Sequence, residues 1–279
     1  MELKTENFTL ISPIDANKNI SVGGKVVSRF FEDEAIRCFG SWRRHAGILK
    51  DIDIYCVHLN RSAIKDETVA KLKNLGVKYI DDPQECADDF KIGFLNEPLC
   101  GYYFSRFPET RDKISIKIDL DMQIFRPIDM SLLPFGDEIV IGQYDERSAK
   151  GQRATINGNL PFDTNYIVSR LDNGFYERYF QLCTDSSILE SDGWKKLYLE
   201  SGWYSIEEYV IDMMSSKGEF HIRPVQNYQF GEGYPSVDSY TDEEVETISF
   251  LHEHIYRNGE FPYDYDPIAE RLRFFRRSH

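Results

Sequence analysis

Ile114-Ser115-Ile116-Lys117-Ile118-Asp119-Leu120-Asp121-Met122 is the stretch that decides how this chain is read. Ile114, Ile116 and Ile118 alternate with polar neighbours, the period of a half-buried β-strand. Asp119 and Asp121 follow two apart, so in an extended chain their carboxylates point to one side. Two such groups repel one another and resist burial unless positive charge sits between them. A hard divalent cation, Mn²⁺ or Mg²⁺, answers that need and also accepts phosphate oxygens and water. A bare Asp-x-Asp marks a solvated turn in many acidic proteins, but its place after an apolar strand in mid-chain favours the metal-binding reading.

Outward from this strand the pattern is regular on the upstream side. Phe8 to Ser12 reads as a strand ended by Pro13, and after a Gly23-Gly24 turn a helix runs from about Glu32 to Leu49 with Ala35, Ile36, Phe39 and Trp42 at helical spacing. Asp53 to Leu59 is a second strand, Asp66 to Leu75 a helix stopped by Gly76, and Val77 to Ile80 a third strand before Asp81-Asp82-Pro83. This rhythm predicts an α/β fold, a mostly parallel sheet flanked by helices, with ligands at the carboxyl ends of the strands. Downstream, strands are expected at 138–142, 165–168 and 247–251 and helices at 174–183 and 205–215. Segments 151–161 and 227–242, rich in Gly, Pro, Asn and Tyr, read as loops over a site.

Composition narrows the function classes. With 33 basic and 47 acidic residues in 279, the net charge of −14 argues against nucleic acid, which demands a basic footprint. It also means that a phosphate ligand needs a divalent cation between itself and the protein. No apolar run approaches the roughly 18 residues of a spanning helix, and the first residues lack the pattern of a signal peptide. Cys38, Cys56, Cys86, Cys100 and Cys183 are odd in number and widely spaced, so reduced thiols and a cytoplasmic location are expected.

With the aspartate pair in place, the chain resembles the GT-A fold of nucleotide-sugar glycosyltransferases, closest to the glycogenin-like and bacterial lipooligosaccharide galactosyltransferase group. Tyr102-Tyr103-Phe104-Ser105-Arg106-Phe107-Pro108 looks like that group's aromatic-then-arginine segment, which gives Arg106 a role in donor binding. Lys117 to Ile128 is similar to the metal strand and the arm after it, and Phe162-Asp163-Thr164-Asn165-Tyr166-Ile167-Val168 resembles the segment facing the donor sugar. The resemblance thus implies Asp119 and Asp121 as metal ligands and Asp163, Thr164 and Asn165 as substrate contacts. In such folds a histidine after a late strand adds a metal ligand; Leu251-His252-Glu253-His254 offers two, and His252 directly follows the apolar run. The family's His-x-x-Gly-x-x-Lys pattern is not reproduced, with Arg257 and Gly259 the only nearby elements. Asp81 and Asp82 close the third strand, where this fold contacts the nucleotide base, so Asp82 joins the substrate-binding set; an ordinary Asp-Asp-Pro turn explains them equally well.

The resemblance implies one domain over 1–279, with a nucleotide-sugar-binding half to about 126 and an acceptor-binding half beyond. It implies a hexosyl- or pentosyltransferase that uses Mn²⁺ or Mg²⁺ and moves a sugar from a nucleotide diphosphate, foremost a uridine diphosphate (UDP) sugar. The acceptor would be a glycan, a lipid-linked molecule or a protein. An inverting reaction needs a carboxylate base, for which Glu207 and Glu208 are the candidates, with Asp212 behind them. Ser205-x-x-Glu208 is also a capping box, which would occupy Glu208 and leave Glu207 free. The basic, aromatic tail Arg271 to Arg277 suits either a peripheral contact with an anionic membrane or a solvated helix end. Two other readings compete. Haloacid-dehalogenase-type phosphatases share Asp-x-Asp but want Thr or Val where this chain has Gln123, and a catalytically inactive sugar-binding module is possible on the same scaffold.

Overall fold

A computed structural model describes residues 4–16, 18–22, 25–82, 95–147, 158–201, 205–227, 229–231, 240–241, 243–244 and 250–254. In chain order its strands are β1 (Phe8–Ile14), β2 (Lys18–Val22), β3 (Lys25–Arg29), β4 (Asp53–His58), β5 (Val77–Asp81), β6 (Ile114–Ile118) and β7 (Met122–Ile124). They continue with β8 (Ile139–Tyr144), β9 (Phe162–Arg170), β10 (Ile222–Asn227), β11 (Gln229–Gly231) and β12 (Phe250–His254). The helices are α1 (Phe31–His45), α2 (Asp66–Asn74), α3 (Asn96–Arg106), α4 (Phe175–Cys183), α5 (Ser186–Leu189), α6 (Asp192–Ser201) and α7 (Ile206–Lys217).

The main sheet has seven strands in the order β10-β8-β9-β6-β1-β4-β5. Every pair in it is parallel except those that β9 makes with β6 and β8. One face packs under α1 and α2 through Phe39, Trp42, Ile116 and Ile118, and the other under α3, α4 and α7 through Phe104, Tyr176, Ile167 and Ile211. The sheet is therefore covered on both faces, which corrects the expectation of a half-buried β6: all five of its residues are buried. Its polar members are satisfied internally, Ser115 Oγ by the Ser169 carbonyl and the Tyr176 hydroxyl, each at 3.1 Å.

Two boundaries differ from expectation for local reasons. β1 runs through Pro13 to Ile14, because its ladder with β6 ends at Ile11 and leaves Pro13 paired only toward β4. Helix α1 stops at His45 rather than near Leu49. Gly47 turns the chain with φ +66°, and a Cβ there would meet Pro127 Cβ at 2.7 Å. The Arg43 guanidinium then ties this corner by donating to the carbonyls of Lys50 (2.6 Å), Ile52 (2.8 Å), Leu75 (2.9 Å) and Gly76 (3.2 Å).

A second sheet, β11-β12-β7, places the late strand beside the residues after Asp121. The late strand is observed at Phe250–His254, whereas 247–249 of the expected 247–251 lie outside the described residues. Most of the expected 151–161 loop, Cys86 and the basic tail also lie outside them. Cys38, Cys56, Cys100 and Cys183 are buried free thiols.

Candidate functional site

The aspartates occupy a turn, not the extended chain expected from their spacing. The Met122 N–H donates to the Asp119 carbonyl at 3.2 Å, and Leu120 between the carboxylates drops into the core. Neighbouring elements fix this turn. Ser12 Oγ from β1 donates to the Ile118 carbonyl (2.7 Å), the Asp119 N–H donates to the Asn165 carbonyl of β9 (3.0 Å), and the Cys38 thiol of α1 lies 3.7 Å from the Asp119 carbonyl. Asp121 is 5% exposed, while the Asp119 side chain keeps 21%.

Lys117, which sequence reasoning passed over as a polar neighbour in the strand, organises the carboxylates. Its ammonium is 1% exposed and lies 2.6 Å from Asp119 Oδ1 and 2.8 Å from the Thr164 carbonyl, and it is ion-paired with Glu97 of α3. An ammonium has three donors, and three acceptors surround this one. Burial alone would discharge it, but the charges of Asp119 and Glu97 outweigh that effect and hold its pKa above the ordinary lysine value. Burial, and then the charge of Asp119, push the Glu97 carboxyl upward. A lysine between two isoleucines of a core strand was the available signal, since a buried cation requires partners. Glu97, brought in from a distant helix, offered none.

The two glutamates at the start of α7 part company. Glu208 completes the capping box with Ser205, and its Oε1 also accepts a short hydrogen bond from the Tyr144 hydroxyl. Glu207 is buried, and its Oε2 has no hydrogen-bond partner. Burial raises its pKa well above the usual carboxylate range, helped by the charges of Glu208 and Glu97. Asp212, one turn on, is fully buried, which pushes its pKa up to about 8.

The start of β9 reaches the turn through an irregularity. Its register against β8 jumps from Ile141↔Ile167 to Gly142↔Asp163, which bulges Thr164 and Asn165 toward the end of β6. Asp163, Thr164 and Asn165 are all buried there, and Asp163 Oδ1 accepts from the Asn165 N–H at 3.2 Å.

The fold has known counterparts. No family profile matches the sequence and no curated protein does. Among solved structures, apo mouse xyloside xylosyltransferase 1 matches with a TM-score of 0.51 at 12% identity, over 88% of this chain and 97% of that one. The apo form of the glycosyltransferase GlyE from Streptococcus pneumoniae TIGR4 matches with a TM-score of 0.51 at 14% identity, over 97% of this chain and 60% of that one. The fold is shared with these glycosyltransferases. The chain spans less than two thirds of GlyE.

Against that glycosyltransferase fold, the remaining predicted residues scatter. Arg106 ends α3 with its guanidinium 3.9 Å above the Tyr102 ring, itself stacked on Phe180. Nine residues of helix, at about 1.5 Å each, put it roughly 14 Å along α3 from Glu97, so the structure does not bring it to the aspartates. Asp82 follows β5, with its N–H donating to the His58 carbonyl at 3.3 Å. That is three strands from β6, about 14 Å along the same carboxyl edge. Its neighbour Asp81 pairs with the buried His58 at 3.2 Å, and His58 Nε2 lies 2.8 Å from Ser62 Oγ, a network the sequence did not suggest. His252 stands opposite Met122 in the β12–β7 register and His254 opposite Gly231; their side chains lie outside the described residues.

The carboxylates of Asp119 and Asp121 are hard oxygen donors of the kind that Mn²⁺ or Mg²⁺ takes, and one of them already faces an ammonium. Among the described residues no three His, Cys, Asp or Glu side chains converge as a closed metal cage. A cation held by Asp119 and Asp121 therefore draws further ligands from beyond that set.

Proposed function

We propose that this protein is a metal-dependent glycosyltransferase that binds a nucleotide diphosphate sugar, foremost a UDP-sugar, at the carboxyl edge of its sheet. The observation that carries this reading is the fixed Asp119–Asp121 turn at the end of β6, on a fold shared with glycosyltransferases. Asp119 and Asp121 hold Mn²⁺ or Mg²⁺, with His252 as a further ligand. When bound, the cation neutralises the charge that develops on the departing diphosphate. Backbone of the 163–165 bulge orients the sugar above the turn, and Asp82 contacts an outer part of the donor. Glu207 takes the acceptor hydroxyl's proton if the reaction inverts, because Glu208 is committed to Ser205 and Tyr144 and Asp212 lies a turn further along α7. The acceptor is a carbohydrate or glycoconjugate.

Calorimetric titration of UDP and GDP, with Mn²⁺ and with EDTA, tests the donor site on wild type and Asp121→Ala. The expected result is metal-dependent binding of UDP that Asp121→Ala abolishes. Absence of nucleotide binding under every condition removes the central premise, and binding without donor hydrolysis or transfer to any acceptor indicates an inactive sugar-binding module.

A further inference from the structure

The ammonium of Lys117 sits where a cation-binding turn would be expected to keep its carboxylates free. It is almost fully buried, it faces Asp119 Oδ1 at 2.6 Å, and the Thr164 carbonyl at 2.8 Å and the Glu97 carboxylate hold it from behind. It therefore cannot swing away to solvent. The Asp119 backbone is in turn pinned to Asn165 at 3.0 Å and to Met122 at 3.2 Å, which fixes where its side chain leaves the turn beside Lys117. One Asp119 oxygen is thus permanently shared with a fixed positive charge, and that charge repels any second cation approaching the same carboxylate.

We propose that Lys117 is the positioning residue of the aspartate turn: it claims one oxygen of Asp119, so that the turn holds a bare divalent cation poorly and takes it only together with a diphosphate-bearing nucleotide. This rests on the donor-site reading above and deepens it by fixing the order of binding. Diphosphate oxygens supply the ligands and the negative charge that Lys117 withholds. Binding is then reciprocal, each partner tightening the other by the same factor. An acidic chain that captured Mn²⁺ or Mg²⁺ on its own would keep the site filled in the absence of donor. With Lys117 in place, the cation arrives as the metal–nucleotide complex and leaves with the nucleoside diphosphate.

The test is Mn²⁺ affinity without turnover, read from the electron paramagnetic resonance signal of free Mn²⁺, with and without UDP. Wild type is expected to bind Mn²⁺ alone at least about tenfold more weakly than in the presence of UDP. Lys117→Gln, which keeps a donor but removes the charge, is expected to tighten bare Mn²⁺ by roughly tenfold or more, whereas Lys117→Arg is not. A purely structural lysine predicts the opposite sign, since loosening the turn weakens the metal. Each variant is first checked for a cooperative melting transition. If Lys117→Gln does not fold, Lys117→Met takes its place with the same expected tightening. Wild type binding bare Mn²⁺ as tightly as with UDP, or folded Lys117→Gln failing to tighten it, overturns the inference and leaves the donor-site reading standing. Failure of UDP to bind wild type with Mn²⁺ overturns both.

Discussion

Gly101 lies in the middle of α3, where a helix ordinarily gains from alanine. The ring of Tyr176, from α4, rests directly on it: a Cβ at 101 would fall 1.9 Å from Cδ1, 2.3 Å from Cε1 and 2.6 Å from Cγ. Carbon atoms in contact sit about 3.5–4.0 Å apart, so Gly101→Ala must separate helix and ring by well over an ångström. The ring has nowhere to go. It is 1% exposed, packs edge-on to Phe175 at 5.1 Å, and its hydroxyl is 3.1 Å from Ser115 Oγ. Helix propensity favours the substitution by about 1 kcal/mol. Overpacking opposes it by about 1–3 kcal/mol or more, and losing the Ser115 bond adds about 1 kcal/mol. The clash wins, for a net loss of about 1–3 kcal/mol. At about 2–4 °C per kcal/mol for a chain of this size, the melting temperature falls by roughly 2–12 °C. Since α3 carries Glu97, its displacement also loosens the Lys117 ion pair. The assay is urea unfolding of wild type, Gly101→Ala, Tyr176→Ala and the double variant. With the ring removed, Gly101→Ala becomes neutral or stabilising, a coupling that a double-mutant cycle isolates. An equal loss in both backgrounds, or a gain in wild type, refutes the packing account.

Four further outcomes are expected. Glu208→Ala loses the α7 cap and the Tyr144 bond, costing about 1–3 kcal/mol in urea unfolding, while Glu207→Gln is neutral or stabilising because it removes a buried carboxyl with an unpaired oxygen. For Asp212 the folded pKa is raised from 3.8 to about 8, so below about pH 4 both states are protonated and above about pH 8 both are ionised. Stability therefore declines as pH rises between those values, and Asp212→Asn should flatten that decline in urea midpoints taken at pH 5 and pH 8. Arg43→Met strips donors from the carbonyls of Lys50, Ile52, Leu75 and Gly76 and lowers stability by about 2 kcal/mol or more, measured the same way. UDP with Mn²⁺ at about a hundred times its Kd stabilises wild type by about 2.7 kcal/mol in a melting scan, and Asp121→Ala shows no such gain.

What could be read from the sequence was what local pattern fixes. The apolar runs of β4, β5 and β6 and the stop at Gly76 are signals within a few residues, and the structure has those elements nearly where they were expected. Helix α3 was illegible because Pro98 and Gly101 look like breakers; one sits in the first turn, where proline is tolerated, and the other is demanded by Tyr176. Strand β10 was hidden by Pro224, which an edge strand accepts. At the site, the Ser205-x-x-Glu208 spacing foretold which glutamate the cap would occupy. The bulge that carries Thr164 and Asn165 to the aspartates depends on a register shift between β8 and β9, and no single segment encodes such a shift.

The charge distribution at the turn is itself an argument for function. Around the end of β6 the fold gathers Glu97 and Asp119, each partly exposed, and the buried Asp121 and Glu207, about the buried ammonium of Lys117. Replacing such a cluster with apolar side chains is commonly neutral or stabilising, so stability alone does not account for it. Burial pushes the carboxyls of both Glu97 and Glu207 above the usual carboxylate range. Lys117 sets one positive charge directly against Asp119 and Glu97. An acidic cluster of this kind favours a ligand that brings positive charge with it, as a metal–diphosphate does, and the net charge of −14 disfavours a bare diphosphate.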